Sequence, residues 1–179
     1  MAPVIILPGI SGSGESHWQS HWQSATPSFT RFRPADWDAP DLADWTRALR
    51  AALANAPQPA VLVAHSLACL LVAHAAEQIR DRVRGAFLVA VPDPDAAAFP
   101  AEAASFGNPP ARPLPFPALI VASADDPYGS LDDARRRARE SNAGLVIAGA
   151  HGHLNGASGL GEWQQGRLLF DAFCAGLGV

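Results

Sequence analysis

Residues Val61-Leu62-Val63-Ala64-His65-Ser66-Leu67-Ala68 run from an apolar stretch, through a small residue, a serine and a second small residue, into the helical-looking segment 69–79. A strand that turns this sharply into a helix holds its serine up as an exposed nucleophile. The usual form of the elbow is G-x-S-x-G, because the strained turn brings strand and helix backbones too close for larger side chains. Ala64 and Ala68 occupy the two glycine positions here, and their methyl groups predict a slightly looser turn. The plainer reading makes Ser66 a helix N-cap whose hydroxyl accepts a backbone N–H. Residues elsewhere in the chain must decide between the two.

Working outward from the elbow, strand and helix signals alternate along the whole sequence. Val4-Ile5-Ile6-Leu7 reads as a buried strand ended by Pro8-Gly9, and a glycine-bearing loop leads to a helix over 15–25. A short edge-like strand at 30–32 stops before Pro34. Asp41 caps a helix through Asn55, in which Leu42, Trp45, Leu49 and Leu53 recur at helical spacing. After the strand 60–64 the helix is apolar almost all round from 67 to 76, as a centrally sandwiched helix should be. Strands follow at 86–91, 118–123 and 145–148, with helices starting near 130–133 and 161–163. This alternation builds a mainly parallel central sheet with helices on both faces, and 179 residues suffice for one domain spanning 1–179.

The proline-dense segment 92–117 breaks the pattern and predicts no regular element. It leaves a central strand on the elbow side, so it is either a substrate-shaping loop beside Ser66 or a plain surface linker.

Composition removes several classes of function. All 13 basic residues are arginines, so a Schiff-base lysine, a P-loop lysine and a Tyr-Lys pair are excluded. A net charge of −4 with no basic run beyond Arg135-Arg136-Arg137 argues against a nucleic-acid partner. That run reads as the solvated face of a helix. Cys69 and Cys174 fall inside expected helices and suggest no disulfide framework. The N-terminal apolar run is too short for a signal peptide or a membrane span, so a soluble, cytoplasmic protein without membrane association is expected.

A serine nucleophile needs a base to take its proton and an acid to orient that base. In the α/β-hydrolase arrangement these follow in the order Ser, Asp, His, each from a loop at the carboxyl end of a strand. The same order occurs here: Ser66 after 60–64, Asp125 and Asp126 after 118–123, His151 and His153 after 145–148. Parallel strands bring all three ends to one edge of the sheet. The aspartates also suit a turn before Pro127, and the histidines also suit a loop without chemistry. Chain order does not choose within either pair.

Leu7-Pro8-Gly9 with Ser11 and Ser13, His17-Trp18-Gln19 with Trp22, His65-Ser66-Leu67, Ser123-Ala124-Asp125-Asp126-Pro127-Tyr128 and Gly152-His153-Leu154-Asn155 resemble the small serine hydrolases of the retinoblastoma-binding-protein-9 and YdeN-like group. The resemblance covers nearly the whole chain. It implies a compact α/β-hydrolase fold with no separate lid domain. It also implies Asp126 as the acid, His153 as the base, and Asp125 and His151 as neighbours of the site. Acyl transfer to Ser66 would then cleave an ester, thioester or amide of a small molecule, with no cofactor. The backbone N–H of Leu67, at the positive end of the elbow helix, suits a developing oxyanion. By the resemblance, the second donor is the N–H of Ile10.

Other features weigh less. His17 and His21 lie four apart on one helix face and can hold zinc, but only Glu15 stands near as a further ligand, so no metal is expected. Gly9, Gly12 and Gly14 do not match the dinucleotide spacing G-x-G-x-x-G, which leaves a nucleotide-dependent oxidoreductase weakly supported. Trp18, Trp22, Phe99, Phe106 and Tyr128 either line an apolar pocket or anchor the core. The alternative function is a protein-binding module of the same fold with a slow or vestigial triad.

Overall fold

A computed structural model of the chain describes residues 2–179. The described residues form six strands and five α-helices: β1 Val4–Leu7, α1 Trp18–Ala25, β2 Phe29–Arg31, α2 Leu42–Asn55, β3 Ala60–His65, α3 Leu67–Ile79, β4 Val83–Val89, β5 Ala118–Ala122, α4 Leu131–Ser141, β6 Gly144–Ile147 and α5 Gln164–Gly176. The strands build one sheet in the order β2-β1-β3-β4-β5-β6, with every neighbouring pair parallel. This is the α/β-hydrolase fold, and the described residues include no separate lid domain. Among them no helix is long and apolar enough to cross a membrane.

Strand side chains alternate between the two faces, as the period of two requires. Ile5, Leu7, Leu62, Ala64, Leu88 and Ile120 point into a core shared with α2 and α3. Val4, Ile6, Val61, Val63, Phe87 and Val121 point into a second core shared with α1 and α5. Trp45, Leu49 and Leu53 recur every four residues on α2 and are fully buried in the first core. Burying each such side chain contributes about 1.5–3 kcal/mol. Asp41 caps α2 by accepting the Asp44 N–H. The edge strands β2 and β6 are short and half-exposed, which limits pairing with other chains.

The chain winds from β1 outward to β2, then crosses back over β1 to β3 and continues the other way. The carboxyl ends of β1 and β3 are therefore the topological switch point, where crevices open in sheets of this kind. Leu7 pairs with Ala64, so Pro8-Gly9 leaves the sheet directly opposite His65-Ser66.

Several boundaries differ from the sequence expectation for identifiable reasons. Helix α1 starts at Trp18 rather than at 15, because His17 caps it with ring Nδ1 accepting the Gln19 N–H at 3.2 Å. Strand β4 begins at Val83 and ends at Val89, shifted from 86–91. Gly85 sits inside it because a Cβ there would approach Leu177 Cδ1 to 2.7 Å, so α5 packs onto bare backbone. Ala90, at φ 54°, ends the strand. The proline-dense segment contains a 3₁₀ turn, Ala101–Phe106, where none was expected. Ala103 and Phe106 bury into the first core, and Phe106 C=O bonds His74 Nε2 at 3.1 Å.

Candidate active site

Ser66 stands between β3 and α3 at φ 55°, ψ −126°, a conformation L residues rarely adopt. Holding it costs on the order of 1–3 kcal/mol, which the surrounding core must offset. The elbow forms with Ala64 and Ala68 both fully buried, so the alanines fit the turn. The loop that follows the neighbouring strand β1 comes close to the elbow. A Cβ built on Gly9 would lie 3.0 Å from Ser66 Cβ, 3.2 Å from His65 O and 3.5 Å from Leu67 N. The loop after β1 thus rests directly on the elbow because residue 9 has no side chain.

The Ser66 hydroxyl does not cap α3. Its Oγ lies 2.7 Å from His153 Nε2, and His153 Nδ1 lies 2.9 Å from both Asp126 carboxylate oxygens. A carboxylate only accepts, so Nδ1 carries the proton and donates to Asp126; Nε2 is then the bare acceptor for the Ser66 O–H. Asp126 Oδ1 also accepts the Tyr128 N–H at 2.9 Å, which fixes its orientation. The Tyr128 ring packs on the His153 ring, with centroids 4.6 Å apart.

Within the two ambiguous pairs, Asp126 and His153 meet Ser66 while Asp125 and His151 lie beside them. Asp125 Oδ1 accepts the Gly152 N–H and the Ser123 O–H, both at 2.8 Å, and those bonds hold its carboxyl below the usual range. Ser123 Oγ in turn accepts the His151 N–H at 2.9 Å. Asp125 and Ser123 therefore tie the loop after β5 to the loop that carries His153.

The segment His17-Trp18-Gln19 braces the same edge. Trp18 Nε1 donates to Leu154 O at 2.7 Å, pinning the His153 loop from behind. Gln19 is fully buried at the switch point, donating to Leu7 O at 3.2 Å and Val63 O at 3.0 Å while accepting the Ser13 O–H at 2.7 Å. One side-chain amide thus bridges the backbones of β1 and β3 near their carboxyl ends. Arg31 donates to Gly12 O at 2.8 Å and Ser13 O at 3.2 Å, clamping the loop that contains Ile10. The resemblance places the His17-Trp18-Gln19 segment beside the active-site loop, and that was the signal for Gln19; sequence reading missed Arg31 as a support.

A cavity of about 400 Å³ opens beside Ser66, with Ile10 and Leu67 in its wall. Phe99 and Pro100 of the proline-dense segment line it, so that segment shapes the cavity. Of the five aromatic candidates, Phe99 and Tyr128 reach the cavity, whereas Trp18, Trp22 and Phe106 are buried in the cores. His17 lines it too, but burial, followed by the charge of Arg31, lowers its pKa to about 3 and keeps it neutral. No set of three or more His, Cys, Asp or Glu side chains is gathered as a metal site among the described residues. Cys69 is buried, with Sγ 3.4 Å from Val89 O, and burial pushes its thiol well up, so it is inert at neutral pH.

The profile of the serine hydrolase family matches residues 4–172. The chain belongs to this family. The hydrolase is similar to a YdeN-like hydrolase of Pectobacterium atrosepticum, at 32% identity and TM-score 0.87 over 97% of this chain and 91% of that one. The ydeN product of B. subtilis matches at 19% identity and TM-score 0.79, over 97% of this chain and 100% of that chain. A thermophilic esterase of Thermogutta terrifontis shares the fold at 14% identity and TM-score 0.72, over 99% and 90% of the two chains. No curated protein sequence matches the hydrolase significantly. The YdeN-like resemblance carried by the motifs therefore extends across the whole fold.

Proposed function

We propose that the hydrolase cleaves an ester, thioester or amide of a small molecule through an acyl-enzyme on Ser66. The observation that carries this reading is the continuous relay from Ser66 Oγ through His153 to the Asp126 carboxylate, at 2.7 and 2.9 Å. As Oγ attacks the acyl carbon, His153 Nε2 takes the hydroxyl proton, and Asp126 stabilises the imidazolium while holding its tautomer. His153 returns that proton to the leaving alcohol, thiol or amine as the tetrahedral intermediate collapses. Water then attacks the acyl-enzyme with the same histidine as base, releasing the acid and restoring Ser66.

The oxyanion of each tetrahedral intermediate is assigned to the backbone N–H groups of Leu67 and Ile10. Leu67 is the first residue of α3, where the helix dipole favours negative charge, and Gly9 lets the Ile10 loop approach it. One such donor is worth on the order of 3 kcal/mol in the transition state. The cavity volume, about 400 Å³, suits a small-molecule substrate. A relay formed at hydrogen-bond distance beside that cavity favours chemistry over a docking role with a vestigial triad.

Hydrolysis of short p-nitrophenyl esters by the wild type and Ser66→Ala tests the reading. A rate in the wild type that falls to the solvent background in the folded variant supports it, and equal rates overturn it.

A further inference from the structure

His65, the residue before the nucleophile, has no part in the relay and yet is 4% exposed and directly against it. Its Nε2 lies 3.0 Å from the backbone carbonyl oxygen of His153. A carbonyl only accepts, so Nε2 carries a proton and donates. Burial, then the neighbouring His17 and His153, push the pKa of His65 well down and keep the ring neutral with that proton in place. The His65 ring also packs edge-on against the His153 ring at 5.0 Å between centroids, and against the His17 ring at 4.6 Å.

These contacts close a loop of short links. Ser66 Oγ meets the His153 side chain, the His153 backbone meets the His65 side chain, and His65 is covalently joined to Ser66. Nucleophile and base come from strands β3 and β6 that are not neighbours in the sheet, with β4 and β5 between them. The Gly152-His153-Leu154 segment has positive φ at Gly152 (57°) and Leu154 (48°), so its backbone needs external ties to hold one conformation. Trp18 supplies one tie at Leu154 O, and His65 supplies the one at His153 itself.

We infer that His65 is a positioning residue that sets the Ser66–His153 distance by donating Nε2–H to the His153 carbonyl. This rests on the acyl-transfer reading of Ser66 and His153. Misplacing a reacting group by about 1 Å costs up to about 100-fold in rate, which bounds the effect. His65→Gln places an amide nitrogen where Nε2 stands; His65→Asn places it near Nδ1, out of reach; His65→Leu removes the donor at similar volume.

The test compares kcat and KM on a short p-nitrophenyl ester for the wild type and the three variants, per active site titrated by acyl-enzyme burst. The low-field proton NMR resonance of His153 Nδ1–H is recorded alongside. The inference expects Leu and Asn to lower kcat by about 10- to 100-fold with KM changed less than about twofold, and Gln to stay within about threefold of wild type. It expects the resonance to persist in wild type and Gln and to broaden in Leu and Asn. Equal kcat per titrated site across all variants, or a Gln variant as slow as Asn with the same resonance loss, overturns it. A wild type without ester turnover would overturn the acyl-transfer reading instead, and the resonance series would still report the positioning role.

Discussion

Gly9→Ala is the perturbation that bears most directly on how the Ile10 loop, proposed to hold the oxyanion, sits on the elbow. Gly9 has φ −81° and ψ −158°, which alanine adopts without strain, so any effect is steric. The new Cβ would stand 3.0 Å from Ser66 Cβ and 3.2 Å from His65 O, where carbon–carbon contacts prefer about 3.5–4.0 Å. Relief requires the loop or the elbow to give by a few tenths of an ångström, and neither neighbour is the free end of a flexible side chain. Overpacking of this kind costs about 1–3 kcal/mol of stability, or roughly 2–10 °C in Tm for a chain of this size. The loop that moves carries the proposed donor Ile10 N–H, so kcat should fall several-fold, well inside the roughly 100- to 1,000-fold cost of losing a donor outright. Steady-state kinetics on a p-nitrophenyl ester, per titrated site and well below Tm, read this directly. A Gly9→Ala enzyme destabilised as stated but with full kcat would refute the assignment of the Ile10 loop to the oxyanion.

Two further outcomes follow from the charges around the site. His17 is buried with a pKa depressed to about 3 against 6.5 unfolded, so between those values the unfolded state binds the extra proton. The contribution of His17 to stability is therefore fully present above about pH 6.5 and is lost progressively as pH falls toward 3. His17→Asn keeps an acceptor for the Gln19 N–H and removes the titration, so its Tm should fall less steeply on acidification; parallel Tm–pH curves would contradict this. Glu102 lines the cavity, and no arginine among the described residues does. Esters bearing a cation should be turned over several-fold faster than matched esters bearing a carboxylate at low salt. In Glu102→Gln, or in 1 M salt, that ratio should approach one, and a ratio insensitive to both would remove Glu102 from the electrostatics of the site.

Much of the architecture was legible because apolar runs and their spacing are local signals. Val4–Leu7, α2 with its Asp41 cap, and the elbow strand stand where the periodicity puts them. What escaped depends on contacts distant in sequence. Gly85 lies inside a strand only because α5 packs on it, and a sequence window reads that glycine as a strand boundary. His17 as a cap through a ring nitrogen lies outside the Ser, Thr, Asp and Asn pattern by which helix starts are recognised. At the site, chain order brought three loops to one edge but left Asp125 beside Asp126 and His151 beside His153. The pairs were separated by resemblance, and physically the choice depends on which side chain turns inward from a loop, as Asp126 and His153 do. The recognised segment flagged Gln19, but its role as a support depends on partners distant in sequence, Leu7 O and Val63 O.

The central claim is that Ser66 is the nucleophile activated by His153. Its most direct test is covalent: treat the protein with a fluorophosphonate, digest it, and locate the adduct by mass spectrometry. The account predicts stoichiometric modification at Ser66 alone in the wild type, and none in folded Ser66→Ala. Modification at another residue, or of Ser66→Ala at the wild-type rate, would contradict it.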